Sequence, residues 1–340
     1  MRPLSLLLAA VLGSLPGVAG APYGGVRAPR LLSQTGLYAA PGRLDPRNRA
    51  YSPQYPLWSD GAAKARWVRL PDGAAIEAGD EDAWTFPVGT KFWKEFQFHG
   101  RKVETRLLWH ARPGVWIFAS YAWNAAGTDA TLVPEEGLPD AAEIAPGLRH
   151  TIPGVADCRT CHENGRTEVL GFTALQLSTD RDPGAIHGEP PRPGLLTLED
   201  LVKEGRLRHA RADLLARPPR IRAGDPETRA LLGYFAANCG ACHRMDHPLD
   251  GLDLDFRPTG RTPGEPGLAS TVNRPSQYTL PGEAPGTTLR IRPGDPDHSA
   301  VYSRMASRRP LSQMPPLGSA LADREALDRL CAWIARAPAR

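Results

Sequence analysis

The chain has 340 residues, 41% hydrophobic and 23% charged, an ordinary globular composition long enough for two packed domains. Its 41 basic and 37 acidic residues leave a formal charge of +4, and with no Lys/Arg-rich run this excludes a nucleic-acid-binding footprint. The 34 glycines and 35 prolines, about a fifth of the chain, predict a loop-rich folded protein rather than low-complexity disorder.

Residues 1–20 read as an export signal: Arg2 gives the positive start, residues 4–15 the apolar stretch, and Val18-Ala19-Gly20 a small-residue cleavage site. The stretch is shorter than the roughly 20 apolar residues a membrane helix needs, and an uncleaved anchor is the alternative. No cysteine marks a lipoprotein anchor at the cleavage point. The expectation is an exported, periplasmic chain, soluble after cleavage and without a stable membrane anchor.

Between about residues 36 and 150 tryptophan and phenylalanine cluster. Turn residues at Pro71-Asp72-Gly73, Phe86-Pro87-Val88-Gly89, His99-Gly100 and Pro113-Gly114 separate runs at 90–98, 102–110 and 115–123. Rich in aromatic and β-branched residues, these runs predict antiparallel strands. Period two puts Phe92, Lys94, Phe96 and Phe98 on one face of the first. Lys94 then either snorkels to the rim or has a specific task. His99, His110 and His150 read as turn or surface residues.

Four of the five cysteines fall in Cys158-Arg159-Thr160-Cys161-His162 and Cys239-Gly240-Ala241-Cys242-His243. Both match the c-type haem attachment pattern, in which two thiols on one turn reach the two vinyl groups and the next histidine lies beneath the iron. In this composition a single such pentapeptide is expected by chance about 0.002 times, so two are no accident. One closed zinc site is a rival reading, although structural zinc rarely uses a histidine adjacent to the second cysteine. A thiol–disulfide redox pair would require a βαβ context that the pattern lacks. The reading is two covalently attached c-type haems, with His162 and His243 as iron ligands.

Residues 178–222 are polar and Gly/Pro-rich, with a short helix starting at Thr197-Leu198-Glu199-Asp200, and read as a connector. Asp225-Pro226-Glu227 starts a helix that runs into the second haem motif, and Asp323 caps a last helix with Leu327, Leu330, Cys331 and Ile334 on its apolar face. Cys331 reads as a structural residue rather than a reactive thiol.

Two helices bracketing a Pro/Gly-rich middle make residues 223–340 resemble a class I cytochrome c. That resemblance implies a distal methionine before the last helix, and Met314 in Ser312-Gln313-Met314-Pro315-Pro316 stands there. Met305, in a predicted helix at 299–307, is the competitor. Met/His ligation raises a haem potential, as electron transfer requires.

Phe86-x-x-Gly89-Thr90-x-x-x-Lys94-Glu95, Gly114-Val115-Trp116-Ile117-Phe118, Cys158-x-x-Cys161-His162-Glu163-Asn164 and Val169-Leu170-Gly171-Phe172 occur in that order. About residues 84–177 thereby resemble cytochrome P-460, a hydroxylamine-oxidising haem protein, and the β-type cytochromes c-prime, which bind nitric oxide. The resemblance implies a β-sheet haem domain, His162 as proximal ligand, a haem cross-link at Lys94 and a distal side that could lack a protein ligand. The whole chain also resembles bacterial dihaem proteins that share Leu57-Trp58-Ser59-Asp60-Gly61 and Met314-Pro315-Pro316-Leu317-Gly318.

The expected architecture is α+β: a signal peptide (1–20), a β-rich antiparallel haem domain (36–177), a connector (178–222) and an all-α cytochrome c-like domain (223–340). The expected role is electron transfer with a redox partner protein or respiratory-chain component. The alternatives are a haem oxidoreductase of the hydroxylamine-oxidising type and a gas-binding protein. Both would take a small nitrogen-oxide or peroxide ligand at the first haem.

Overall fold

The computed structural model describes residues 25–163, 165–245, 249–257 and 265–337. The expected signal segment and Asn164 lie outside the described residues. In chain order, β1 (Tyr38–Ala40), β2 (Arg43–Leu44), β3 (Arg49–Ala50), β4 (Ala63–Arg69), β5 (Ile76–Glu77), β6 (Lys91–Phe98), β7 (Arg101–Arg112), β8 (Val115–Trp123), β9 (Ala130–Leu132), β10 (Leu138–Ala145) and β11 (Leu148–Ile152) precede helix α1 (Val155–His162). Then come α2 (Leu198–Lys203), β12 (Leu207–Arg208), α3 (Pro226–Asn238), α4 (Pro266–Ala269), α5 (Ala300–Ala306) and α6 (Arg324–Arg336). The fold is α+β, with antiparallel sheets and helices both present. No described helix is long and apolar enough to cross a membrane.

The main sheet has the order β3-β4-β6-β7-β8-β9 and is antiparallel throughout. Its central hairpin turns on His99 and Gly100, whose φ values of 50° and 74° give the left-handed pair that a two-residue turn needs. The register then fixes two faces. Trp67, Trp93, Leu107 and Tyr121 bury one face against Leu32 and Leu37. Val68, Phe92, Trp116 and Phe118 bury the other against Phe172, Leu196, Leu198, Leu201 and Leu214.

Those last four leucines belong to residues 178–222, and β12 pairs in parallel with β5 (Leu207↔Ile76). Ile186 from the same stretch joins a second core formed by Leu231, Tyr234 and Phe235 of α3 with Leu327, Leu330 and Ile334 of α6. The segment between the motifs is therefore packed against both cores.

Both expected helix starts form. Asp225 accepts a hydrogen bond from Thr228 N at 3.0 Å and Asp323 accepts one from Ala326 N at 3.2 Å. Arg329 bridges to Glu227 and Trp333 Nε1 donates to Thr228 Oγ1 at 2.8 Å, which locks α6 onto α3. Two expectations need correction. His110 and His150 are buried rather than superficial: His110 stacks on Trp116 at 4.8 Å, and His150 pairs with Glu104. Cys331 is half-buried on α6, whose Leu327, Leu330 and Ile334 turn into the second core.

Candidate functional site

Helix α1 presents Cys158, Cys161 and His162 towards the face of the sheet that carries Phe118, whose ring lies 5.5 Å from the His162 ring. The helix starts at Gly154, where a β-carbon would sit 2.5 Å from the Glu135 carbonyl oxygen and 2.8 Å from the Glu136 carbonyl carbon. Only glycine lets the chain pass beneath that turn. The Nδ1–H of His162 donates to the Glu168 carbonyl at 2.6 Å, which fixes the tautomer and leaves Nε2 as the lone-pair nitrogen. Burial lowers this imidazole to about 4; the Glu168 bond opposes the shift, and the positive Lys94 and Arg106 add to it. It is neutral at pH 7, as an iron ligand must be.

His162 lines a cavity of about 810 Å³ with Tyr51, Phe92, Lys94 and Arg106. Lys94 and His162, named from separate sequence motifs, thus face one space. Cys158 packs at the edge of the adjoining apolar core, and burial pushes its thiol up to about 11.

The second motif closes α3. Cys239 is its C-cap, and His243 N donates to Cys239 O at 2.8 Å in the turn that follows. Gly240 is sterically required here, since a β-carbon would sit 2.7 Å from Ala236 O and 2.9 Å from Phe256 O. Burial pushes Cys239 up to about 12. Cys239, His243, Met305 and Met314 line two adjoining cavities of about 560 and 640 Å³, with Cys242 on the wall of the first. Leu252, Leu254, Phe256 and Val301 supply apolar walls. Met314 is pinned by its N–H to Arg304 O at 2.9 Å. The structure therefore brings both methionines to the site, Met314 from a loop and Met305 from the buried face of α5.

The two motifs also meet. The Cys161 and Cys242 thiols bias each other's protonation, which raises Cys161 and lowers Cys242. Around them the cavities are separated by a thin wall. Leu57 and Ala237 line the first, while their chain neighbours Trp58 and Asn238 line the second. Trp58 N donates to Asn238 Oδ1 at 2.7 Å, Trp58 Nε1 to Leu321 O at 3.1 Å, and Asp60 Oδ1 accepts from Ala320 N and Leu321 N at 2.8 Å each.

No family model, curated protein or solved structure matches this chain. The chemistry of the donors has to carry the assignment. Among the described residues no three His, Cys, Asp or Glu side chains converge as a metal site. Each motif instead sets two thiols and one imidazole on a single turn with its histidine on a cavity wall, a donor set that fits a c-type haem.

Sequence reasoning missed three residues of the first cavity's surroundings. Arg66 and Arg106 flank Lys94 directly in register, and Glu104 lies beside them. Strand alternation gives each residue's face, but only the pairing register puts these three cations in one row.

Proposed function

We propose that this chain is an exported dihaem c-type cytochrome that relays single electrons to a redox partner protein or respiratory-chain component. Cys158, Cys161 and His162 would hold one haem in the β-rich part, and Cys239, Cys242, His243 and Met314 a second in the cytochrome c-like part. The observation that carries this reading is that each Cys-x-x-Cys-His motif sets its histidine on a cavity wall, and that the two cavities are lined by directly adjacent residues, Leu57 with Trp58 and Ala237 with Asn238. A haem bound at either motif would supply one-electron redox chemistry. The chain's contribution would be to hold the His162 imidazole neutral, present His243 to the second cavity, wall out water with apolar side chains and keep the two sites adjacent.

Met314→Ala in the purified holoprotein tests the second site. It should abolish the long-wavelength sulfur–iron band and lower the midpoint potential of one haem while leaving two haems per chain by pyridine haemochrome. Retention of the band in that variant would assign the ligand to Met305.

A second reading rests on the first cavity. Its described lining contains neither methionine nor a histidine besides His162, which favours an iron open to a small nitrogen-oxide or peroxide ligand, as in a hydroxylamine-oxidising or gas-binding protein. Under this reading Lys94, which lines that cavity, would carry a haem cross-link, and mass spectrometry of the haem peptide distinguishes a modified from an unmodified Lys94.

A further inference from the structure

The sheet side of the first cavity carries an unusual arrangement of charge. Arg66 on β4 pairs directly with Lys94 on β6, and Lys94 pairs directly with Arg106 on β7. These strands lie in the interior of the six-stranded sheet. Residues directly opposite each other share a face, so three cations stand side by side, and all three line the cavity that holds His162. Like charges in directly opposed positions destabilise a sheet. Such a row calls for a compensating anion.

The protein supplies only part of the compensation. Glu189 reaches Arg66 at 3.1 Å, and Glu104 reaches Arg106 Nη2 at 3.0 Å while sharing its charge with His150. Lys94 sits in the middle with its Nζ 4.9 Å from the Phe96 ring centroid, and no carboxylate lies within ion-pair distance of it among the described residues. Two carboxylates therefore serve three cations and a histidine. Burial first, then the neighbouring charges of Lys64, Arg66 and Arg106, disfavour the ammonium form of Lys94, and Glu104 offsets them only in part. An anion entering the cavity would relieve both effects.

We infer that Arg66, Lys94 and Arg106 form an anion seat facing His162, built for a group with two or more oxygen acceptors. Neighbouring strands lie about 4.8 Å apart, so an anion with two oxygens can accept from two adjacent members of the row. Two sources carry this chemistry: a free small oxyanion of the nitrite type, or a propionate carboxylate of the haem held at Cys158 and Cys161. The inference rests on the dihaem reading and names the ligand class of its first site.

The test uses oxidised holoprotein, with haem per chain measured first by pyridine haemochrome. Sodium nitrite is then titrated against the Soret band and the electron paramagnetic resonance signal. For a free oxyanion, the change saturates, and Lys94→Met and Arg106→Gln each raise the Kd at least tenfold while the affinity of the ferrous form for neutral carbon monoxide moves less than threefold. For a propionate, nitrite leaves the spectra unchanged, and the step that propionate ionisation imposes on midpoint potential against pH moves to higher pH in both variants, because they remove a cation that held the carboxylate ionised. Two haems per chain with neither response would overturn the anion seat and leave the dihaem reading intact. Absence of haem at the first motif would overturn both.

Discussion

Glu104 shows how a single buried residue holds the first site together. It is fully buried on β7 and accepts from Arg106 Nη2 and His150 Nε2, both at 3.0 Å. Burial alone would raise its carboxyl, but Arg106 and His150 hold it below the ordinary value of 4.5. A folded value below the unfolded one means that this contribution to stability is fully present above pH 4.5 and is lost as pH falls through the folded value. Glu104→Gln leaves Arg106 facing the cavity without its carboxylate and should cost about 3 kcal/mol at pH 7. It should also flatten the acid limb of stability below pH 4.5. Guanidinium unfolding followed by far-ultraviolet circular dichroism at several pH values checks both, and a variant as stable as wild type with an equally steep acid limb would contradict this role.

At the scale of elements, glycine decides where helices can dock. Gly154 lets α1 start under the 135–137 turn, where any β-carbon would collide with backbone. Gly233 on α3 admits the Tyr55 ring, which a β-carbon would overlap, and Tyr55 is held by its hydroxyl donating to Asp182 at 3.0 Å. Gly233→Ala should therefore push α3 off Tyr55, destabilise the chain by about 1–3 kcal/mol and weaken any spectroscopic interaction between the two sites. A thermal melt and the Soret spectrum of the variant decide it, and a wild-type melt would show that the helix shifts without cost.

The three strands of the aromatic region, the helix starts at Asp225 and Asp323 and the short helix after Thr197 were all legible in the sequence, because each is set by residues within a few positions. Legibility ended where long-range pairing began. His110 and His150 read as superficial because their burial depends on Trp116 and Glu104, and Arg66 became part of the site only through a register spanning β4, β6 and β7. The 178–222 stretch has a linker's composition, yet its leucines fill the core beneath the sheet.

Across the whole molecule, two dissimilar halves meet near their Cys-x-x-Cys-His motifs. The segment Leu57-Trp58-Ser59-Asp60-Gly61 crosses between them: Leu57 lines one cavity, Trp58 lines the other, and Asp60 takes two backbone N–H groups from the loop after Met314-Pro315-Pro316. The His187 ring packs against Trp58 at 5.0 Å and hydrogen-bonds the α6 cap Asp323, so the same seam is tied to the last helix. A formal charge of +4 is modest beside the four propionates that two haems would bring. Under the proposed dihaem reading, electrons would cross this seam between two neighbouring sites rather than through protein of arbitrary thickness. Soret circular dichroism of the holoprotein tests that claim most directly. The account predicts two haems per chain and a couplet of opposite-signed bands, lost when Cys239 and Cys242 are both replaced by alanine; two haems whose dichroism is the sum of independent sites would contradict it.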